Sequence, residues 1–216
     1  MNRKTLYITE FFKSIQGEST LSGVPTAFVR LSGCNLRCKY CDSAYTFERG
    51  EEFSLNEVMD QVEKMNCPYV CITGGEPLLQ QNVYTLCHEL AIKGYKVSIE
   101  TNGSLHIKER PDCTKFVLDI KCPSSGEEKK NIFENLPILQ PEDEVKFVLS
   151  DKKDYLYAKH IIEKYNLTNK VIVLLSPVFR ILEPRHIVEW MLENDLNVRL
   201  NLQLHKVIWP EKNRGV

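Results

Sequence analysis

The sequence predicts an α/β fold with a mostly parallel sheet, built as a partial, open barrel of roughly six or seven strand–helix units. Short β-rich runs alternate with helical stretches along the 216 residues, which is the pattern of parallel βαβ units. Runs such as "VIVLL" are apolar almost throughout, as expected for parallel strands covered by helices. These units are too few for the usual closed eight-unit barrel, so we expect an open, (βα)6-like arrangement, with a doubly wound sheet as the alternative.

Seven stretches rich in β-branched and aromatic residues are the predicted strands. With 43% hydrophobic residues the chain can bury one good core, so we expect a single domain over residues 1–216. In chain order the strands read "TAFVRL", "YVCIT", "KVSIET", "KFVLDI", "EVKFVL", "KVIVLL" and "NVRLNLQL".

Local signals mark four predicted helices. Ser54 and Glu57 form a capping box ahead of an apolar stripe, and Asp151 is a predicted N-cap residue. Pro184 stands in a first helical turn, and the helix near Gln81 to Lys93 ends at the following glycine. These helices fall between predicted strands, as the βαβ pattern requires.

The charge balance and the hydropathy pattern exclude two classes of partner. The 28 basic and 29 acidic side chains give a net charge of −1, so the chain lacks the basic surface of a protein that tracks nucleic acid. No stretch approaches the roughly 18 apolar residues that a membrane helix needs, and the N-terminus lacks a secretory apolar core. We therefore expect a cytoplasmic protein without a nucleic-acid or membrane partner.

Three of the eight cysteines, Cys34, Cys38 and Cys41, are spaced closely enough to share one metal centre. In a reducing compartment cysteines are more often metal ligands or core residues than disulfides. The others form no second cluster of close spacings. Four of them are predicted to be small hydrophobic residues of the core, namely Cys67, Cys71, Cys87 and Cys113.

A set of three thiolates without a fourth ligand favours an iron–sulfur cluster over zinc. Structural zinc sites are closed by four Cys or His ligands, and no fourth ligand follows Cys41 at a finger-like distance. A cubane cluster is also bound by thiolates, usually four of them. With three, one iron keeps an open position, which suits a cluster that must bind a substrate.

Polar motifs follow the predicted strands and meet at one face of the sheet. The cysteine loop follows the first strand, and "TGGEP", "ETNG", "DIKCPSSG", "LSP" and "QLHK" follow the second, third, fourth, sixth and last. In α/β folds the carboxyl ends of the strands form the face that holds the active site. Consecutive glycines at a strand end also let backbone approach a ligand closely. An ordinary βα turn is the alternative for "TGGEP".

The Cys-x3-Cys-x2-Cys loop with Tyr40 before its last cysteine, together with "GGEP", resembles the radical S-adenosylmethionine (SAM) superfamily. The resemblance implies a [4Fe-4S] cluster on Cys34, Cys38 and Cys41, whose open iron is chelated by SAM. Reductive cleavage of SAM then gives a 5′-deoxyadenosyl radical that abstracts a hydrogen atom from the substrate. It further implies SAM contacts from the strand ends, at Gly74, Gly75, Glu76, Glu100, Cys122, Pro123, Ser124, Ser176, Pro177, Val178 and Phe179.

The segments "FFKSIQGEST", "CDSAYTF" and "QLHKVIWPEKNRGV" are similar to the 7-carboxy-7-deazaguanine synthase family, from about Thr9 to the C-terminus. The resemblance implies ring contraction of 6-carboxy-5,6,7,8-tetrahydropterin to 7-carboxy-7-deazaguanine with release of ammonia, in queuosine biosynthesis, with SAM acting catalytically. It also implies a homodimer and a flavodoxin-type electron donor.

The same resemblance suggests a substrate-binding set and a magnesium ligand. Magnesium prefers oxygen ligands, and Ser43 supplies a hydroxyl where family members often have threonine, so metal preference could differ in this chain. A flat, polar substrate with a carboxylate needs amide-like groups and a cation, for which Arg30 is the candidate. The full substrate set is Ile15, Gln16, Gly17, Glu18, Arg30, Thr73, His205 and Pro210.

Each of these assignments has a structural alternative. Gln16 could be a turn residue, Glu18 a solvated carboxylate and Arg30 a member of a buried ion pair. His205 could pack or cap at the last strand, and Ser43 could be a plain loop residue. Two other functions also stay open: a small radical SAM activase that acts on a protein glycine, and a non-enzymatic metal-binding module without SAM.

Overall fold

The computed structural model describes residues 4–111, 113–212 and 214–216, and these form one sheet of nine strands. The spatial order is β3-β1-β2-β4-β5-β6-β7-β8-β9. The bounds are β1 Thr5–Ile15, β2 Pro25–Leu31, β3 Glu51–Ser54, β4 Tyr69–Gly74, β5 Lys96–Thr101, β6 Thr114–Ile120, β7 Glu144–Leu149, β8 Ile172–Pro177 and β9 Arg199–Leu200.

The sheet is mostly parallel and stays open. From β2 through β4 to β9 each neighbouring pair is parallel, whereas β1 is antiparallel to both β2 and β3. Within the described segments, β3 and β9 are the two edges and do not pair with each other. The α/β class and the open, unclosed sheet predicted from the sequence are therefore confirmed.

The helices begin at the residues that their local signals indicate. They are α1 Leu55–Met65, α2 Asn82–Ile92, α3 Lys152–Tyr165, α4 Pro184–Glu193 and α5 Leu204–Ile208. Ser54 and Glu57 make the complete capping box of α1, and the Asp151 side chain accepts a hydrogen bond from Asp154 N at the start of α3. Pro184 occupies the first turn of α4.

Two N-terminal strands were not predicted, for a physical reason in each case. In β1 the burial pattern does not alternate, because the pairing register with β2 shifts between Ile8 and Glu10. The four residues of β3 include two exposed glutamates and one apolar residue, Phe53, which is too short a pattern to predict a strand. Both strands flank the parallel sheet and leave its carboxyl-end face accessible.

The predicted last strand over "NVRLNLQL" is too long. Only Arg199–Leu200 pair with β8, and the chain then enters α5 at Leu204. Among the described residues, the links from β5 to β6 and from β6 to β7 contain no α-helix and run instead through loop or 3-10 turns. The number of complete strand–helix units is correspondingly small.

The core consists of two clusters of buried side chains, one centred on β4, α1 and α2, the other on β7, β8 and α3. Cys67 and Cys87 lie in the first cluster and Cys71 is also buried, so all three are buried as predicted. Cys113 is exposed, so its prediction as a core residue is wrong: it lies just before β6 with a φ of 59°, outside the strand whose apolar pattern suggested burial. None of the described helices is both long and apolar enough to cross a membrane.

Candidate active site

A cavity of about 240 Å³ opens at the carboxyl ends of the parallel strands. The strand register brings distant residues together there, since Arg30 pairs with Thr73, Asp119 with Lys146 and Val148 with Ser176. Most of the predicted site residues line this one cavity: Ile15, Gln16, Gly17, Glu18, Arg30, Cys34, Cys38, Cys41, Ser43, Thr73, Gly74, Gly75, Glu100, Ser176, Val178, Phe179 and His205.

The three cysteines of the loop after β2 reach the cavity as free thiols. The Cys34 Sγ accepts from Leu36 N at 3.5 Å and from Asn102 Nδ2 at 3.7 Å, and such donors favour a metal-bound thiolate. Burial raises the pKa of the Cys38 thiol to about 11, so metal binding must displace its proton.

This donor set fits a cluster better than a single ion. In the described part of the chain, no group of three or more His, Cys, Asp or Glu side chains is arranged to hold one metal ion. The thiolates of a cubane bind separate irons, so they do not need to converge on one point. The three cavity-lining cysteines are therefore the residues that would hold a [4Fe-4S] cluster.

The glycine pair after β4 sets the position of the cysteine loop. A Cβ on Gly75 would lie 2.1 Å from Gly33 O, and one on Gly74 would lie 2.2 Å from Leu31 O. Two backbone hydrogen bonds accompany this close approach, from Gly75 N to Leu31 O at 3.2 Å and from Glu76 N to Gly33 O at 2.8 Å. A side chain at Gly75 would push the cysteine loop away from β4, and one at Gly74 would overlap its paired residue Leu31 at the end of β2.

The turn "CPSSGE" holds the outer half of the cysteine loop. Lys39 N donates to Ser125 O at 3.0 Å, and Arg37 N donates to the Glu127 carboxylate at 2.7 Å. Cys122, Pro123 and Ser124 precede these contacts and do not line the cavity. The motif thus hydrogen-bonds to the backbone of the cysteine loop and does not contribute to the cavity surface.

Glu76 is fully buried behind the glycine pair. Its carboxylate accepts from Leu78 N and Thr101 Oγ1 at 2.8 Å and from Asn102 N at 2.6 Å. Burial raises the pKa of Glu76, although the hydrogen bonds oppose that effect. Glu76 therefore links the ends of β4 and β5 by hydrogen bonds and does not line the cavity.

Glu100 joins three elements at the centre of the cavity. Its carboxylate accepts from Thr73 Oγ1 at 3.0 Å and from Gln16 Nε2 at 3.2 Å. Gln16 is buried and also accepts from Glu18 N, so it is held at both ends of its amide. These contacts fix a carboxylate and an amide in the cavity wall, where both can hydrogen-bond to a polar ligand.

Arg30 is a member of a half-buried ion pair with Glu10 and also lines the cavity. Its Nε donates to Glu10 Oε1 at 2.7 Å, and Tyr45 Oη donates to the same oxygen at 2.9 Å. Its guanidinium carbon lies 5.3 Å from the centre of the Phe12 ring. The terminal nitrogens make no hydrogen bond with any described residue, which leaves one edge of the guanidinium available.

The loop between β1 and β2, residues 16–24, enters the open barrel, and we call it the inner loop. Glu18 accepts from Lys146 Nζ at 2.6 Å and from Gln203 Nε2 at 2.7 Å. A Cβ on Gly17 would lie 1.9 Å from His205 Nδ1, so this position has no room for a side chain. Burial lowers the pKa of His205, so the imidazole is neutral at pH 7.

Two oxygen-bearing side chains, Asp42 and Ser43, lie beside the last cysteine. Ser43 Oγ donates to Asp42 Oδ1 at 3.0 Å, and Lys206 forms an ion pair with Asp42. Burial raises the pKa of Asp42, but the Lys206 ammonium lowers it by more, so this carboxyl is ionised near neutral pH. A hydroxyl and a carboxylate match the oxygen chemistry of Mg²⁺, and Ser43 is the residue that would hold it.

Some predicted residues lie away from the cavity, and some cavity residues were not predicted. Pro177 is buried, and Pro210 is exposed in a turn after α5; neither lines the cavity. A lysine within an apolar strand, such as Lys146 in β7, could have predicted part of this set, because a buried lysine needs an anionic partner. The unpredicted residues include Asp42, Asp119, Lys121, Lys146, Gln203, Lys206 and Val216.

Asp119 links two of these lysines across the cavity wall. Its Oδ2 lies 3.0 Å from Lys121 Nζ and 3.7 Å from Lys146 Nζ. The neighbouring carboxylates raise the pKa of Lys146 well above its usual range, although burial lowers it. Both ammonium groups are therefore charged, and each is paired with a carboxylate of the cavity wall.

Comparison with protein families places this site among known sequences. The model of the radical SAM superfamily matches residues 28–120. A protein of Koribacter versatilis named 7-carboxy-7-deazaguanine synthase is 43% identical, over 98% of this chain and 100% of that one. A protein of the same name from Chlorobaculum tepidum is 43% identical, over 98% and 97%. Another from Clostridium acetobutylicum is 38% identical, over 97% and 98%.

Solved structures show the same fold. The crystal structure of QueE from Escherichia coli matches with a TM-score of 0.77 at 23% identity, covering 92% of this chain and 94% of that one. A structure of TYW1 with a lysine-pyruvate adduct matches with a TM-score of 0.57 at 15% identity, covering 82% and 76%.

Proposed function

The chain belongs to the 7-carboxy-7-deazaguanine synthase family of radical SAM enzymes, and on that premise we propose that it makes 7-carboxy-7-deazaguanine. The substrate is 6-carboxy-5,6,7,8-tetrahydropterin, and the second product is ammonia. One observation carries the proposal. The three thiols, the glycine pair and the polar inner loop line a single cavity, so a cluster, SAM and a flat polar substrate would meet there.

When bound, the reduced cluster and SAM supply a carbon radical that can abstract a hydrogen atom from the substrate. Cys34, Cys38 and Cys41 would hold the cluster, while Gly74, Gly75, Ser176, Val178 and Phe179 offer cavity surface to SAM. Ser43 would hold magnesium.

The chain's own groups orient the substrate. The free edge of the Arg30 guanidinium can bind its carboxylate, and the Glu18 and Glu100 carboxylates can accept from pterin N–H groups. Gln16 adds an amide, and the neutral His205 ring adds one donor and one acceptor. The inner loop is also tied to the start of α5, through Gln203 Nε2 to Glu18 and Leu204 N to Gly17 O.

We further propose that the chain acts as one cytoplasmic domain, assembles as a homodimer and receives electrons from a flavodoxin-type donor. The support is its similarity to the family over nearly its whole length.

The direct test is an anaerobic assay with reconstituted, reduced protein, SAM, magnesium and the tetrahydropterin. Mass spectrometry should detect 7-carboxy-7-deazaguanine. Cys38→Ala should yield none, whereas Cys87→Ala, a change of a buried α2 cysteine remote from the cavity, should keep the activity. Cleavage of SAM without deazaguanine, while a partner protein acquires a glycyl radical, would favour the activase alternative. Absence of SAM binding would favour a metal-binding module.

A further inference from the structure

The inner loop is held in the barrel at points beyond the cavity itself. Its first residues, Gln16 to Glu18, line the cavity. The next two residues, Ser19 and Thr20, bond to side chains of β7 and the segment after β9. The loop is therefore fixed on both sides of its substrate-facing part.

Ser19 marks a sharp change in the direction of the loop. Its φ is 66°, in the left-handed region that serine seldom adopts, so the surrounding contacts must stabilise this backbone. Ser19 N donates to Asn201 Oδ1 at 2.8 Å, and Asn201 Nδ2 donates to Ser176 Oγ at 2.8 Å. This chain of bonds secures one side of the turn.

Glu144 secures the other side. It is fully buried, and its Oε1 accepts from Thr20 N at 3.0 Å and from Thr20 Oγ1 at 2.5 Å. Lys115 Nζ forms an ion pair with Glu144 and donates to Thr20 Oγ1 at 2.6 Å. The three side chains form a closed, charge-assisted cluster.

The two contacts between β7 and the inner loop follow the two-residue period of side chains along a strand. Glu144 and Lys146 are two residues apart on β7 and therefore share one face of the sheet. They bind Thr20 and Glu18, which are two residues apart in the inner loop. One strand thus holds the loop at two successive points.

We propose that Glu144, together with Thr20 and Lys115, positions the inner loop so that Gln16 to Glu18 meet the substrate. The identity of the substrate rests on the proposed function, whereas the anchoring itself rests on the contacts above. The Glu144 Oε2 atom is buried without a hydrogen-bond partner among the described residues. The contacts of Oε1 with Thr20 and Lys115 must therefore offset the cost of this unpaired buried acceptor.

Three variants and one control separate positioning of the inner loop from the stability of the fold. Thr20→Val removes the hydroxyl and keeps the shape, while Thr20→Ser keeps the hydroxyl and should rescue the defect. Glu144→Gln removes the charge that binds Lys115. Asp143→Asn is the matched control, because Asp143 is an equally buried acid that pairs with Arg110 and makes no contact with the inner loop.

The variants are compared by substrate KM, SAM dissociation constant and hydrogen–deuterium exchange of residues 16–24 in the apoprotein. Thr20→Val and Glu144→Gln should raise KM about tenfold, as expected for losing one hydrogen bond to a charged group. SAM affinity should stay within about twofold, because the loop is not proposed to contact SAM. Exchange in residues 16–24 should increase in both variants and stay at the wild-type level in Asp143→Asn.

The inference fails if exchange in residues 16–24 is unchanged in Thr20→Val, or if KM rises no more than in Asp143→Asn. If Glu144→Gln does not fold, the Thr20→Val and Thr20→Ser pair decides. If wild-type protein makes no product, the proposed function fails, and the exchange measurement still decides the anchoring because it needs no substrate.

Discussion

Arg30 combines a structural and a binding role in one side chain. Its Nε is fixed by Glu10, which also accepts from Tyr45, so the guanidinium plane is held before any ligand arrives. Its remaining edge lines the cavity. A planar, preorganised cation of this kind suits two-point binding of a carboxylate.

Replacing Arg30 by Ala should therefore weaken the pterin far more than SAM. The loss should be on the order of 2–5 kcal/mol in substrate binding, because one partner of a buried charged pair is removed. Equilibrium binding of substrate and SAM to the same protein measures both effects. Arg49→Ala, which removes an exposed arginine stacked on Tyr7, should change neither affinity. An equal loss of both affinities in Arg30→Ala would assign Arg30 to the scaffold.

At the level of elements, the end of β4 and the cysteine loop are built as one unit. Because Gly74 and Gly75 have no side chains, the backbone at the end of β2 and in the cysteine loop lies directly against β4. Two hydrogen bonds fix it there, from Gly75 N to Leu31 O and from Glu76 N to Gly33 O. The cluster ligands are thus positioned by a strand end that carries no ligand itself.

Gly75→Ala should reduce cluster loading although all three cysteines remain. The added methyl would overlap Gly33 O, and such overpacking costs about 1–3 kcal/mol. Iron content and visible absorbance after anaerobic reconstitution measure the effect. Gly94→Ala has no atom within 4 Å of the new Cβ, so it should load iron normally, although a φ of 87° is unfavourable for alanine. Wild-type loading in Gly75→Ala would contradict this role of the glycine pair.

The contact between β7 and the inner loop should make stability depend on pH. Burial raises the pKa of Glu18, but the Lys146 ammonium and two hydrogen bonds lower it by more, so the pKa lies below its ordinary value of 4.5. Its ionised form therefore stabilises the fold above that value, and this contribution is lost as the pH falls through the folded-state pKa.

Lys146→Met should be destabilised at pH 7, because Glu18 is then buried without its cation. Without Lys146, burial would raise the Glu18 pKa, so the stability gap to wild type should narrow as the pH falls from that raised pKa to the lowered pKa of wild-type Glu18. Thermal unfolding of the apoprotein over a pH series measures this. Lys64→Met, at an exposed position of α1, should follow the wild-type curve. A gap that stays constant with pH would show that Lys146 does not control the charge of Glu18.

For the molecule as a whole, the sequence predicted the parallel sheet because its strands carry strong local patterns. "YVCIT" and "KFVLDI" are apolar runs whose burial in β4 and β6 needs no further information. By contrast, β1 contains a register shift and β3 is charged, so only pairing with neighbours makes them strands. The motifs shared with the radical SAM superfamily predicted residues at most strand ends that line the cavity, such as Cys34, Gly74, Glu100 and Ser176.

What the sequence did not predict depends on side-chain direction and distant pairing. Glu76 follows the glycine pair directly but turns inward, because the N–H groups at the ends of β4 and β5 bind its carboxylate. The sequence around Arg30 did not predict its ion pair with Glu10, because the two residues meet only through the antiparallel pairing of β1 with β2. Asp119 and Lys146 come together through the β6–β7 register.

The most direct test of the proposed function is the number of deazaguanine molecules made for each SAM consumed. Reduced wild-type protein is supplied with magnesium, excess 6-carboxytetrahydropterin and limiting SAM, and all products are quantified by mass spectrometry. If the cavity returns the hydrogen atom to the substrate-derived radical, 7-carboxy-7-deazaguanine should exceed 5′-deoxyadenosine and methionine many times over. A ratio of one or less, or accumulation of 5′-deoxyadenosine without deazaguanine, would contradict a synthase that uses SAM catalytically.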